Sequence, residues 1–124
     1  SGLRFSGPNC LGLANVRDDI WASSSSRGSD GLSGPVGLIC QSGASAFGPF
    51  LTRAVEEGIG LSHIISTGNE ADLDFCDFAR YLLDDDGVKV IAGFIEGFRD
   101  ARKFTEVAKL AADLRGERRP PAGE

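Results

Sequence analysis

From Pro35 onward the sequence alternates short apolar runs with amphipathic segments, and this alternation leaves few folds open. The apolar runs cover residues 36–40, 61–66 and 88–95. Each has the length of a strand, and each is followed by apolar positions that recur at three- and four-residue steps. In the first helical segment, 43–57, the recurring positions are Ala44, Phe47, Phe50, Leu51, Ala54 and Val55. Pro49 falls in its early turns and is expected to limit or bend it, and Gly58 and Gly60 stop it. The second segment, 72–83, turns Phe75, Phe78, Ala79 and Leu82 inward and closes at Asp84-Asp85-Asp86-Gly87. The third, 100–114, sets Phe104, Val107, Ala108, Ala111 and Leu114 on one stripe. Strand and helix in strict alternation imply a three-layer α/β fold with a parallel sheet and right-handed crossovers. The run 88–95 is almost continuously apolar, as expected of a strand covered on both faces.

Residues 1–34 read differently. The turn Gly7-Pro8-Asn9-Cys10-Leu11-Gly12 looks organised, residues 13–21 offer apolar anchors without a clear period, and Ser23 to Gly31 reads as a flexible loop or linker. A length of 124 residues suits one domain. A formal net charge of −5 argues against a general nucleic-acid binder, and the short patch Arg115 to Arg119, interrupted by Glu117, reads as solvated surface. No apolar run approaches the roughly 18 residues of a membrane span, and the first residues do not resemble an export signal. Cys10, Cys40 and Cys76 are widely spaced and odd in number, which fits a reducing, cytoplasmic setting better than disulfides or a zinc site.

In a parallel α/β sheet, ligands gather beyond the carboxyl ends of the strands. Here those ends carry Gln41-Ser42-Gly43, Ser66-Thr67-Gly68-Asn69-Glu70 and Glu96-Gly97, so the three are expected at one edge of the domain. At the first, unpaired N–H groups and the positive end of a helix meet, with Ser42 as cap and Gly43 letting a ligand approach. Ser42, Gly43 and Ala44 are therefore candidates to hold a phosphate or a carboxylate. The spacing matches neither a Walker loop, nor Gly-x-Gly-x-x-Gly, nor a nucleophile elbow. Glu96, at the end of its strand, is placed to hold an imidazole or an ammonium group. Taken singly, each motif is also an ordinary capped turn. Asn69 and Glu70 read as turn and cap residues, and Asp72, Asp74 and Asp77 as surface caps whose spacing does not converge on a metal. His63, the only histidine, reads as a half-buried or surface strand residue, and Cys10 as inert.

Four motifs, in order, resemble the NDP-forming acyl-CoA synthetases: Gly7 to Gly12, Gly37 to Ala44, Ser66 to Asp72, and Phe94-Ile95-Glu96-Gly97. This superfamily includes the succinyl-CoA synthetase α subunit and ADP-forming acetyl-CoA synthetase. The resemblance implies a flavodoxin-like ligase domain over residues 35–124, truncated to about three βα units. It also implies that residues 1–34 are the end of a CoA-binding domain and a linker. Family members interconvert acid, CoA and NTP with acyl-CoA, NDP and phosphate through a phosphohistidine. On this likeness Ser42, Gly43 and Ala44 cradle the phosphoryl group, Glu96 orients the histidine, and Asn9, Cys10, Asn69 and Glu70 lie near substrate and CoA.

The family's histidine follows a fourth strand, so His63 does not correspond to it. CoA, and ATP or ADP with Mg, are then cofactors of a larger enzyme. Its partners are the missing CoA-binding and ATP-grasp domains or subunits, and the isolated chain is not expected to turn over. An uncovered sheet edge offers a route to self-association. A different class remains open, a non-catalytic CoA- or acyl-CoA-sensing module of a protein acetyltransferase. A receiver domain would need an acidic cluster at the first strand end, which is absent.

Overall fold

The computed structural model describes residues 2–25 and 31–117. Its sheet is built around three parallel strands, β3 (Ser33–Cys40), β4 (Leu61–Ser66) and β5 (Val90–Phe94), with β3 between the other two. Residues 37–40 and all of β4 are buried, as continuous apolar runs covered on both faces should be. Successive side chains point to opposite faces, so Leu38 and Cys40 enter one core and Ile39 the other. The first core lies under the helical run that follows β3, with Ala46, Leu51 and Ile64. The second lies under α3 (Phe75–Leu83) and α4 (Ala101–Glu117), with Ile65, Phe75, Leu82 and Val107.

The parallel core and its three layers match the sequence expectation, but the sheet as a whole is mixed. β1 (Gly12–Asn15) and β2 (Ile20–Ser23) form an antiparallel hairpin, and β1 pairs antiparallel with β4, Leu13 opposite Ile65. The strand order is β2-β1-β4-β3-β5. Residues 13–21 show no period in the sequence because, of the hairpin's strand residues, only Ala14 is buried. Arg17, in the hairpin turn, pairs with Asp85 at 2.6 Å and so ties the hairpin to the loop after α3. Of the stretch expected as a linker, residues 26–30 lie outside the described residues. The end of the arginine patch and the chain after residue 117 lie outside them too.

Three further expectations are corrected. The helix expected over 43–57 is broken into α1 (Gly43–Ser45), a π-helical turn Ala46–Phe50 and α2 (Leu51–Glu56). The break is at Gly48 (φ −99°, ψ −107°), because Pro49 drives the residue before it out of helical backbone. The strand expected over 88–95 is shorter and half uncovered: Val90, Gly93 and Phe94 are exposed. β5 is the outer strand, paired only to β3 among the described residues. On α4 Val107 is buried and Phe104, Leu110, Ala111 and Leu114 are half-buried, whereas Ala108, expected on that stripe, is exposed.

His63, expected as a half-buried or surface strand residue, is buried, at only 5% exposed. It sits on a strand with neighbours on both sides, Asn15 and Gly37, and Tyr81 of α3 lies edge-on to its ring at 6.2 Å. No described helix is long and apolar enough to cross a membrane.

Candidate functional site

The carboxyl ends of β3, β4 and β5 open onto one cleft of about 560 Å³. Every residue singled out as a phosphate-, substrate- or histidine-facing candidate lines it: Ser42, Gly43 and Ala44 after β3, Asn69 and Glu70 after β4, Glu96 after β5, and Asn9 and Cys10 from the N-terminal turn. A larger apolar groove of about 860 Å³ lies between α3, α4 and residues 88–91. It opens beside the amino end of β5, away from the polar motifs.

Hydrogen bonds set the shape of the cleft. The turn through the cis Gly7–Pro8 bond lies against the loop after β4. Asn69 N donates to Pro8 O and Ala71 N to Gly7 O, both at 2.9 Å. Asn9 Nδ2 reaches Asn69 Oδ1 at 3.3 Å, and Leu11 N reaches Ser66 Oγ at 3.2 Å. Gly68 (φ 61°) must be glycine, since a Cβ there would run into the carbonyl oxygens of Pro8 and Asn9.

Gly43 has a different reason from the one its position suggests. A Cβ on it would lie 2.7 Å from both Leu11 Cγ and Ser66 Oγ, so its Cα face is closed by the protein's own turn. What stays at the cleft is backbone: the N–H groups of Gly43 and Ala44 begin the helix and have no helical acceptor before them. Ser42 turns inward as the cap, its Oγ accepting from Ser45 N at 3.3 Å and from the Ser45 hydroxyl at 3.0 Å.

The two glutamates differ. Glu70 is 3% exposed, and its Oε1 accepts from Thr67 Oγ1 at 2.7 Å and from Phe75 N at 3.1 Å. Its carboxylate therefore caps α3 and holds its own backbone at φ 52°, a left-handed value few glutamates adopt. Glu96 is exposed, and no hydrogen bond of its carboxylate is formed among the described residues. Its backbone is fixed by Gln41, whose Oε1 accepts from Glu96 N at 2.6 Å. Gln41 was missed because its side chain, in sequence, is one polar residue at a strand end. Arg99, also missed, lines the cleft three residues beyond Glu96 and brings a cation to it.

The remaining candidates are accounted for elsewhere. Asp72 accepts from Arg4 Nε and Phe5 N, each at 2.9 Å. Asp74 and Asp77 form a capping box at the start of α3, and Lys103 Nζ lies 2.9 Å from both. Among the described residues no three His, Cys, Asp or Glu side chains gather as metal ligands. Burial pushes the thiols of Cys40 and Cys76 up to about 11, which keeps them protonated and unreactive at neutral pH. His63 lies on a buried strand, does not line the cleft, and has an unpartnered Nδ1.

Across residues 33–115 the sequence matches the flavodoxin domain of the succinyl-CoA ligase-like proteins. The chain belongs to this family. Among curated proteins, the succinyl-CoA ligase-like domain described here is 44% identical to the acetate–CoA ligase (ADP-forming) II subunit alpha of Pyrococcus furiosus over 108 residues, 87% of this chain and 23% of that one. It is 39% identical to acetate–CoA ligase (ADP-forming) I of Archaeoglobus fulgidus, over 90% of this chain and 16% of that one.

Among solved structures, a protein of Pyrococcus horikoshii OT3 superposes with a TM-score of 0.81 at 40% identity, covering 91% of this chain and 25% of that one. Acetyl-coenzyme A synthetase 1 of Ca. Korarchaeum cryptofilum, solved in complex with phosphate and ADP, gives 0.80 at 34% identity, covering 90% and 24%. The succinyl-CoA ligase-like domain thus spans a quarter or less of the length of these relatives.

Proposed function

We propose that this chain is the phosphate-cradling part of an NDP-forming acyl-CoA synthetase, which interconverts acid, CoA and NTP with acyl-CoA, NDP and phosphate. The observation that carries the reading is the convergence of three strand ends and the Gly7–Gly12 turn on one cleft. Its relatives are ADP-forming acetate–CoA ligases, and one was solved with phosphate and ADP.

In this reading the phosphoryl group is carried on a histidine outside this chain. The Gly43 and Ala44 N–H groups, with the positive end of the helical run, favour its negative charge by roughly 0.3 to 2 kcal/mol. Arg99 adds a cation at the mouth of the cleft, and the Glu96 carboxylate accepts from the imidazole N–H and holds the ring's orientation. Asn9, Cys10 and Asn69 form the wall facing acyl-CoA. Glu70 acts through the loop it holds.

CoA, and ATP or ADP with Mg, bind mainly on the accompanying CoA-binding and ATP-grasp domains or subunits. Residues 1–34 would then be the end of the CoA-binding domain and its linker, and residues 35–124 the incomplete ligase domain. The hairpin β1–β2 is the seam between them, since it pairs directly with β4.

The full-length protein carrying this segment tests the reading. Incubated with γ-labelled ATP, it should acquire an acid-labile, base-stable phosphoryl group that chases onto ADP. Glu96→Gln should slow labelling on the order of 10²-fold, as loss of an orienting group does. A folded full-length protein that takes up no label would rule the reading out.

A further inference from the structure

We propose that Gln41 is a positioning residue for the phosphoryl-transfer site, acting through Glu96; this rests on the assignment of Glu96 above. Each of its four polar atoms makes at least one hydrogen bond, and these join the three strand ends to one another. Its backbone N–H donates to Phe94 O at 3.1 Å, and its backbone carbonyl accepts from Gly68 N at 3.1 Å. Its side-chain Oε1 accepts from Glu96 N at 2.6 Å and Gly97 N at 3.1 Å, while Nε2 donates to Gly97 O at 2.7 Å.

Two N–H donors and one carbonyl acceptor fix which end of the amide is oxygen and which is nitrogen. Glutamate and leucine have nearly the same size but not this pairing. Glutamate keeps the acceptor and sets an oxygen against Gly97 O; leucine keeps neither. An amide is the one side chain of this length that satisfies all three partners.

The consequence concerns Glu96. Among the described residues β5 is the outer strand and the chain beyond Phe94 leaves the sheet, so no ladder of described strands holds residues 95–97. Glu96 is exposed, with its carboxylate unpaired by any described residue. The Gln41 amide supplies the register that the sheet does not. Losing it should leave the carboxylate present but misplaced, and a displacement of about 1 Å at a reacting centre costs on the order of 10²-fold in rate.

The test is made in the full-length protein, with single-turnover labelling of the histidine by γ-labelled ATP and steady-state kinetics with CoA and acetate. Gln41→Ala should lower the labelling rate and kcat on the order of 10²-fold, with KM for CoA and the urea midpoint near wild type. Gln41→Glu, which keeps both N–H bonds, should fall between the two, and takes the place of Gln41→Ala should that variant unfold. The double variant with Glu96→Gln should be no slower than Glu96→Gln alone, because both act on one carboxylate. Wild-type labelling in Gln41→Ala, or effects that multiply in the double variant, overturn the positioning role while leaving the Glu96 assignment standing. Wild-type labelling in Glu96→Gln overturns both.

Discussion

A methyl group at position 43 has no room, because Leu11 Cγ and Ser66 Oγ both lie 2.7 Å from where it would stand. Neither atom sits at the free end of a long side chain, so the turn or the helix start must shift. Gly43→Ala should therefore cost about 1–3 kcal/mol, the usual range for overpacking. Gly97→Ala, with open space around it, should leave the urea midpoint unchanged, and equal effects at the two sites would refute the packing argument. His63 is constrained by charge. Burial, and then the neighbouring Arg17 guanidinium, hold its pKa below the ordinary 6.5, partly offset by Asp85 and Asp18. The unfolded chain therefore binds a proton more readily than the folded one. The stability of neutral His63 is complete above about pH 6.5 and is lost as pH falls below it. Thermal melts from pH 8 to pH 5 should show Tm dropping below pH 6.5, and His63→Leu should flatten that part of the curve. An unaltered slope in the variant would show that another group is responsible.

α3 ends at Leu83 as the sequence states, but it starts at Phe75 rather than at residue 72, because the cap is Asp74. Asp74 and Asp77 form the reciprocal cap, and the buried positions Phe75, Cys76, Ala79 and Leu82 follow helical spacing. Asp74→Ala should destabilise the domain by about 0.5–2 kcal/mol in denaturant unfolding. Lys103 keeps Asp77 at 2.9 Å, so the contact with α4 should survive the change; a loss well above that range would mean the two helices separate. Elsewhere the sequence was less direct, for local reasons. A proline inside an amphipathic stretch warned of a bend but not of a π-helical turn with Gly48 outside helical backbone. The run 88–95 is apolar enough for a central strand, yet hydropathy does not record which strand comes last in a sheet. The hairpin was illegible because one buried alanine makes no pattern.

Over the whole molecule, the site was legible where the parallel-sheet rule applies. It placed Ser42, Gly43, Asn69 and Glu96 at a common edge, and the cleft holds all four. The rule says where residues meet and not which way their side chains turn. Hence Glu70, expected near substrate, spends its carboxylate on α3, and Gly43 owes its identity to Leu11 and Ser66. Gln41 was placed at that edge with its motif but given no role, because the partners of its side chain, the backbone of residues 96 and 97, exist only once the strands are assembled.

The hairpin's place in the sheet also bears on the order of assembly. β4 is central, with β3 on one side and β1 on the other. β3 reaches it over one short crossover. β1 must wait for a loop that brings Leu13 to Ile65, and longer loops close at greater entropic cost. Loop length therefore favours the β3–β4 pair, Leu38 opposite Ile64, as the nucleus, whereas β1 on β4 and β5 on β3 (Val36 opposite Val90) both close much longer loops. The two outer walls of the cleft, Asn9 and Cys10 leading into β1 and Glu96 following β5, are thus the late additions to a site whose centre, the ends of β3 and β4, assembles first.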